Sequence, residues 1–152
     1  MRSRDGHGNL RIHVCLGSMV TCALATLVLA SGQSYVRSYR DAKFRDLNPA
    51  MTEGAQVAPL WGDPAIGPSA VLFKMKRGAT PFHTHSSAYH LAVIEGAMKH
   101  WVEGESEAKA PELGAGGYWY IRGGQVHADS CLSDECVAFI KWEGKRDAKV
   151  AE

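Results

Sequence analysis

His83 and His85 flank a single residue, Thr84, in a chain that carries seven histidines. Residues i and i+2 of an extended strand project from one face, so two imidazoles at this spacing converge on one point. His90 opens the next apolar run, and His127 lies in a later one, 125–131. A lone strand histidine is ordinarily a satisfied polar residue. Three clustered imidazoles with a fourth downstream are a metal-ligating set. The expected cofactor is one divalent transition metal (Zn, Fe, Ni, Cu or Mn), and nitrogen donors alone leave its identity open. Two ligand sets are compatible with the spacing. Either His83, His85, His90 and His127 all bind, or His90 stands off as an acid/base group beside the other three.

Strand parity extends the site. If His127 points inward, so do Asp129 and Cys131. Asp129 is then the candidate catalytic residue, as a general base or as the carboxylate that orients an imidazole N–H. His100 alternates with Met98 and Val102 and is a candidate substrate contact. Tyr118 and Tyr120 share a face, with Trp119 on the other, and are offered as further substrate-lining residues. Cys131 and Cys136 enclose four residues, 132–135, which suits a hairpin loop with the two cysteines opposed and disulfide-bonded.

These residues need rigid elements, and the surrounding sequence supplies strands. Short apolar runs (56–61, 70–76, 90–95, 98–103, 118–122, 125–131 and 136–142) are separated by Gly and Pro. That rhythm reads as an antiparallel sandwich or barrel, and the fold class expected is all-β. No segment after residue 50 keeps a helical period for three turns.

The 152 residues are 45% hydrophobic and 22% charged, which is ordinary globular composition and room for one domain. A formal net charge of +1 offers no field to recruit nucleic acid or anionic lipid. The ends differ in character. Arg2, Arg4 and Arg11 precede an uncharged stretch, 14–30, followed by small residues, which is the pattern of a secretory signal. The expected organisation is a signal peptide or anchor at 1–32, a polar arm at 33–50 and the domain at 51–152. Export to the periplasm or beyond follows, with membrane contact only if the leader stays uncleaved. Export also places the two later cysteines in an oxidising compartment. The arm carries Tyr35, Tyr39 and Phe44, suited to docking on a neighbouring copy, and a homodimer is expected.

Gly78-x4-His83-x-His85-x4-His90-x5-Gly96 resembles the first motif of the cupins, and Gly116-x5-Arg122-x-Gly124-x2-His127 resembles the second. Within cupins, the Leu60–Pro64 lead-in and the Cys131/Cys136 ending resemble the small secreted ChrR-like group. The resemblance spans roughly residues 55–143. It implies a jelly-roll barrel with one metal inside, held by residues of both motifs. His90 stands where that pattern has Glu, and Arg122 where it usually has Pro. Four neutral imidazoles would leave the dication's charge uncompensated and the centre more electrophilic.

Two functions from different classes remain open at this point. One is a small metalloenzyme, dioxygenase-like or hydrolytic or isomerising, acting on a small carbonyl compound. The other is a non-catalytic module that binds or senses a metal or small ligand. No residue names a substrate.

Overall fold

The computed structural model describes residues 34–48 and 54–152. The expected signal segment and the expected boundary between arm and domain lie outside those residues. Among the described residues, no helix is long and apolar enough to cross a membrane.

The chain is all-β. Among the described residues, nine strands form one antiparallel sheet: β1 (Arg45–Asp46), β2 (Gln56–Gly62), β3 (Ser69–Ala79), β4 (His83–Thr84), β5 (Tyr89–Glu95), β6 (Met98–Val102), β7 (Tyr118–Ile121), β8 (His127–Trp142) and β9 (Lys149–Val150). The sheet curls as a half-barrel, and the closed jelly roll expected from sequence is met to that extent. Alternation drives the curl. Along β5, Tyr89, Leu91 and Val93 are buried while His90, Ala92 and Ile94 are less so. They pack against Val71, Met98, Trp119 and Ile140 inside the curl. Each such apolar side chain contributes roughly 1.5–3 kcal/mol on burial.

β8 organises the sheet. β3 pairs along nearly its whole length, from Ser69 opposite Trp142 to Ala79 opposite Ser130. On its other side, β5 covers the distal half and β6 the proximal half. On both sides the pairing keeps one direction past Cys131 and Cys136, interrupted only by an irregularity at Lys76–Gly78 and by the break between β5 and β6, so β8 does not reverse there. The expected hairpin is corrected. Residues 132–134 bulge out of a single long strand while Glu135 stays opposite Lys76, and the Cys131–Cys136 disulfide bridges the bulge at a Cα separation of 5.8 Å. Arg77 holds the extruded loop through the Leu132 carbonyl and, at 3.1 Å, the Asp134 carboxylate. The Ala97 N–H donates to the Ser133 hydroxyl at 3.0 Å. Gly96 sits against this staple at φ +83°, where a Cβ would fall 2.8 Å from Cys136 Sγ. No other residue fits there without displacing the bridge.

Part of the arm joins the sheet. β1 pairs with β2, the Tyr39 hydroxyl donates to the Glu95 carboxylate, and the Lys74 ammonium lies 4.6 Å over the Phe44 ring. Tyr39 and Phe44 of the arm thus dock on their own chain.

Candidate metal centre

His83 on β4 and His127 on β8 are direct cross-strand partners, with ring centroids 4.4 Å apart. His85, just past β4, brings its ring to 4.8 Å from His83 and 5.2 Å from His127. One nitrogen from each imidazole lies within 4.8 Å of the others. Two loop contacts fix His85. The Gly124 N–H donates to its carbonyl at 2.8 Å, and Asp147 accepts from the Ser86 N–H and hydroxyl, both at 2.8 Å.

The hydrogen bonds assign the ring nitrogens. His83 Nδ1 lies 2.9 Å from the Pro81 carbonyl, His127 Nδ1 lies 2.9 Å from the Gln125 carbonyl, and His85 Nδ1 bonds the Asp147 carbonyl. A carbonyl only accepts, so each Nδ1 must carry the proton. Each neutral ring then presents an Nε2 lone pair. Fixing the tautomer from behind is the usual outer support of a metal-binding histidine. The donor set fits one divalent transition metal.

Other polar groups crowd the same interior. The Tyr89 hydroxyl is 3.2 Å from His127 Nε2 and accepts from Trp119 Nε1–H at 3.4 Å. His100 donates from Nδ1 to Asp129 Oδ1 at 2.7 Å. Its ring stacks on Trp119 at 5.1 Å and approaches His127 at 5.4 Å. Thr80 anchors Asp129, its hydroxyl accepting from the Asp129 N–H at 3.0 Å. Trp142 packs edge-on against His85 at 4.8 Å.

Burial controls the electrostatics. It pushes His85 down to about 4, with the neighbouring His83 and His127 rings adding to the shift and the Asp147 carbonyl opposing it. Burial lowers His127 too, partly offset by the Gln125 carbonyl and the Asp129 charge. Tyr89 is raised well above 10, chiefly by burial and then by Asp129. All three are therefore neutral at pH 7 in the metal-free protein. The unfolded chain takes up protons below the ordinary histidine value of 6.5 while folded His85 does not. Stability is thus full above pH 6.5 and falls as pH drops toward 4. For His85 the expected loss is on the order of 3 kcal/mol. Urea unfolding in a chelator at pH 7.5 and 4.5 measures it, and equal midpoints would contradict a buried neutral His85.

A model of the ChrR cupin-like domain matches residues 33–144. The chain belongs to the ChrR cupin-like family. This cupin has the same fold as the polyketide cyclase RemF from Streptomyces resistomycificus (TM-score 0.62, 20% identity, 79% of this chain and 87% of that one). It is similar also to KdgF from Halomonas sp. (TM-score 0.58, 20% identity, 76% and 97%). A third is the DMSP lyase DddQ from Ruegeria pomeroyi (TM-score 0.56, 18% identity, 78% and 60%). At such identities the likeness carries the fold alone. No curated protein matches the chain.

The cupin departs from its sequence reading at three residues. His90 is not with the other imidazoles. Tyr89 begins β5 facing inward, so His90 faces out, where its Nδ1 bonds the Tyr118 hydroxyl at 2.6 Å and its Nε2 meets Glu143 at 2.9 Å. Tyr118 and Tyr120 do share a face, but it is the outer one, and both are exposed. They flank His90 and do not line the interior. His90→Ala is accordingly expected to keep full metal stoichiometry, checked by elemental analysis after dialysis. A loss of metal would return His90 to the ligand set. Asp129 and His100 lie inside as parity required. Tyr89, Trp119 and the Asp147 carbonyl were missed. Tyr89 could have been found by allowing one residue fewer in the first motif; a backbone carbonyl leaves no trace in sequence.

Proposed function

We propose that this cupin is an exported metalloenzyme acting on a small carbonyl compound, with His83, His85 and His127 holding one divalent transition metal. The observation that carries the reading is the shared tautomer: three Nδ1 protons held by backbone carbonyls, three Nε2 lone pairs facing one interior. Three protein ligands leave coordination positions for substrate, as catalytic sites do and closed structural sites do not. When bound, the metal acts as a Lewis acid on a carbonyl oxygen.

The protein's own groups handle the proton. Asp129 takes the His100 Nδ1 proton in a hydrogen bond, which leaves His100 Nε2 as the basic atom. His100 removes a proton from the carbon next to the carbonyl, and Asp129 stabilises the imidazolium that forms. Stacking on Trp119 holds the ring in place. This revises the role expected of each residue. His100 becomes the base and Asp129 its positioning partner.

Export accords with the apolar leader and with a cystine, which persists in oxidising compartments. Homodimer pairing belongs to the same reading, because an open sheet edge such as that of β7 invites a partner strand; sedimentation of the full chain tests it. The function is tested by metal analysis of untagged protein, then oxygen uptake and α-carbon deuterium exchange across a panel of diketones and hydroxyketones. Metal-dependent exchange that falls at least about 100-fold in His100→Ala is expected. Stoichiometric metal with neither exchange nor oxygen uptake would instead make the protein a metal- or ligand-binding module.

A further inference from the structure

We infer that the Tyr89 phenol oxygen is the fourth protein ligand of the metal, occupying the place in which the sequence pattern led us to expect His90. The inference rests on the three-histidine site proposed above. Tyr89 is the inward residue at the start of β5, and its ring lies 5.4 Å from His85 and 5.8 Å from His127. Its oxygen stands 3.2 Å from His127 Nε2, the atom that faces the metal. Two neighbouring ligand atoms, each about 2.0–2.1 Å from one metal, sit roughly 2.8–3.0 Å apart at octahedral angles and roughly 3.3–3.4 Å apart at tetrahedral ones. The observed spacing falls between the two.

Hydrogen-bond accounting leads to the same place. In the metal-free protein, His127 Nε2 can only accept, so the Tyr89 O–H donates to it. Once Nε2 gives its lone pair to a metal, that hydroxyl loses its acceptor. Tyr89 is 2% exposed, so water does not replace it. A buried orphaned hydroxyl is unfavourable. Loss of the phenol proton to solvent, as the oxygen–metal bond forms, removes the orphan. The Trp119 Nε1–H then donates to a charged oxygen, a stronger bond than before. The resulting set is three neutral imidazoles and one anionic oxygen. That set reduces the charge of the centre by one and favours iron or manganese over copper, because a hard oxygen replaces a borderline nitrogen. An ion that takes six ligands would keep two positions for a substrate's pair of oxygens.

Spectroscopy of the full chain decides the matter. Protein is loaded with ferrous ion without oxygen and oxidised with one equivalent of ferricyanide; Tyr89→Phe and Tyr118→Phe are treated alike. Wild type and Tyr118→Phe are expected to show a visible phenolate-to-iron charge-transfer band that Tyr89→Phe lacks. Zinc affinity of Tyr89→Phe, measured by chelator competition, is expected to fall by at least the roughly 10–100-fold seen on losing a ligand's outer partner, at unchanged stoichiometry. The wild-type spectrum decides even if the variant folds poorly. Bound iron without the band overturns the inference and leaves the three-histidine site standing, whatever the zinc affinity of the variant. Absence of stoichiometric metal from wild type overturns both.

Discussion

His127→Ala is expected to reduce the metal content of the purified protein from one ion per chain to essentially none. The residue is 1% exposed and sits on the central strand, directly opposite His83. Its loss leaves two imidazoles on the short β4 segment and its flank, without the third imidazole that faces them from β8. Removing an outer partner of a ligand typically weakens metal binding 10–100-fold, and removing a ligand itself should exceed that. The variant also leaves the buried Tyr89 hydroxyl without its acceptor, a stability cost of about 1–3 kcal/mol. Elemental analysis after dialysis reads the metal, and urea unfolding in a chelator reads the stability separately. His90→Ala is the control, since it removes an imidazole of the same chemistry from the opposite face. Full stoichiometry in His127→Ala would dismiss the cluster as a metal site.

Cys136→Ser is expected to be the most destabilising change away from the histidines. On the chain-entropy description, releasing so short a loop costs roughly 2 kcal/mol. Cys131 and Cys136 are 2% and 0% exposed, so the variant also buries a hydroxyl and a free thiol where a cystine had been. An unsatisfied hydroxyl adds about 1–3 kcal/mol. The sum corresponds to a fall in Tm of about 10–25 °C for a domain of this size. Calorimetry of wild type and Cys136→Ser under one non-reducing condition gives the difference. A shift of only a degree or two would mean that the β3–β8 ladder alone holds the strand in register.

The sequence was most informative where chemistry depends on local spacing. The i, i+2 relation of His83 and His85 needs only an extended backbone, and the punctuation around it made strands the economical reading. His127, Asp129 and Cys131 followed from parity on one strand. Parity tells which residues share a face but not which face is inside. Tyr118 and Tyr120 were correctly paired and wrongly placed, because β5 and β7 carry aromatic side chains on both surfaces. His90 failed by a single residue: the turn after His85 uses three residues before the inward position, so Tyr89 takes it. The cysteines form the disulfide expected of them, and only the path of the chain between them differs. Four residues between two cysteines look the same whether the chain reverses or continues, and only the long-range register with β3, β5 and β6 separates the two.

The stapled excursion in β8 also separates two things that sequence length normally ties together. In an ordinary strand, adding one residue inverts every side chain beyond it, which here would turn the interior out. Between Cys131 and Cys136 the covalent bridge sets the span, so the count of residues outside it is free to vary. Asp134 at the tip is fully solvent-exposed. Loop-closure cost rises only slowly with length. The strand that carries the metal site therefore contains a built-in insertion point, a place where a peptide can be grafted or evolution can add length while His127 and Asp129 keep their phase.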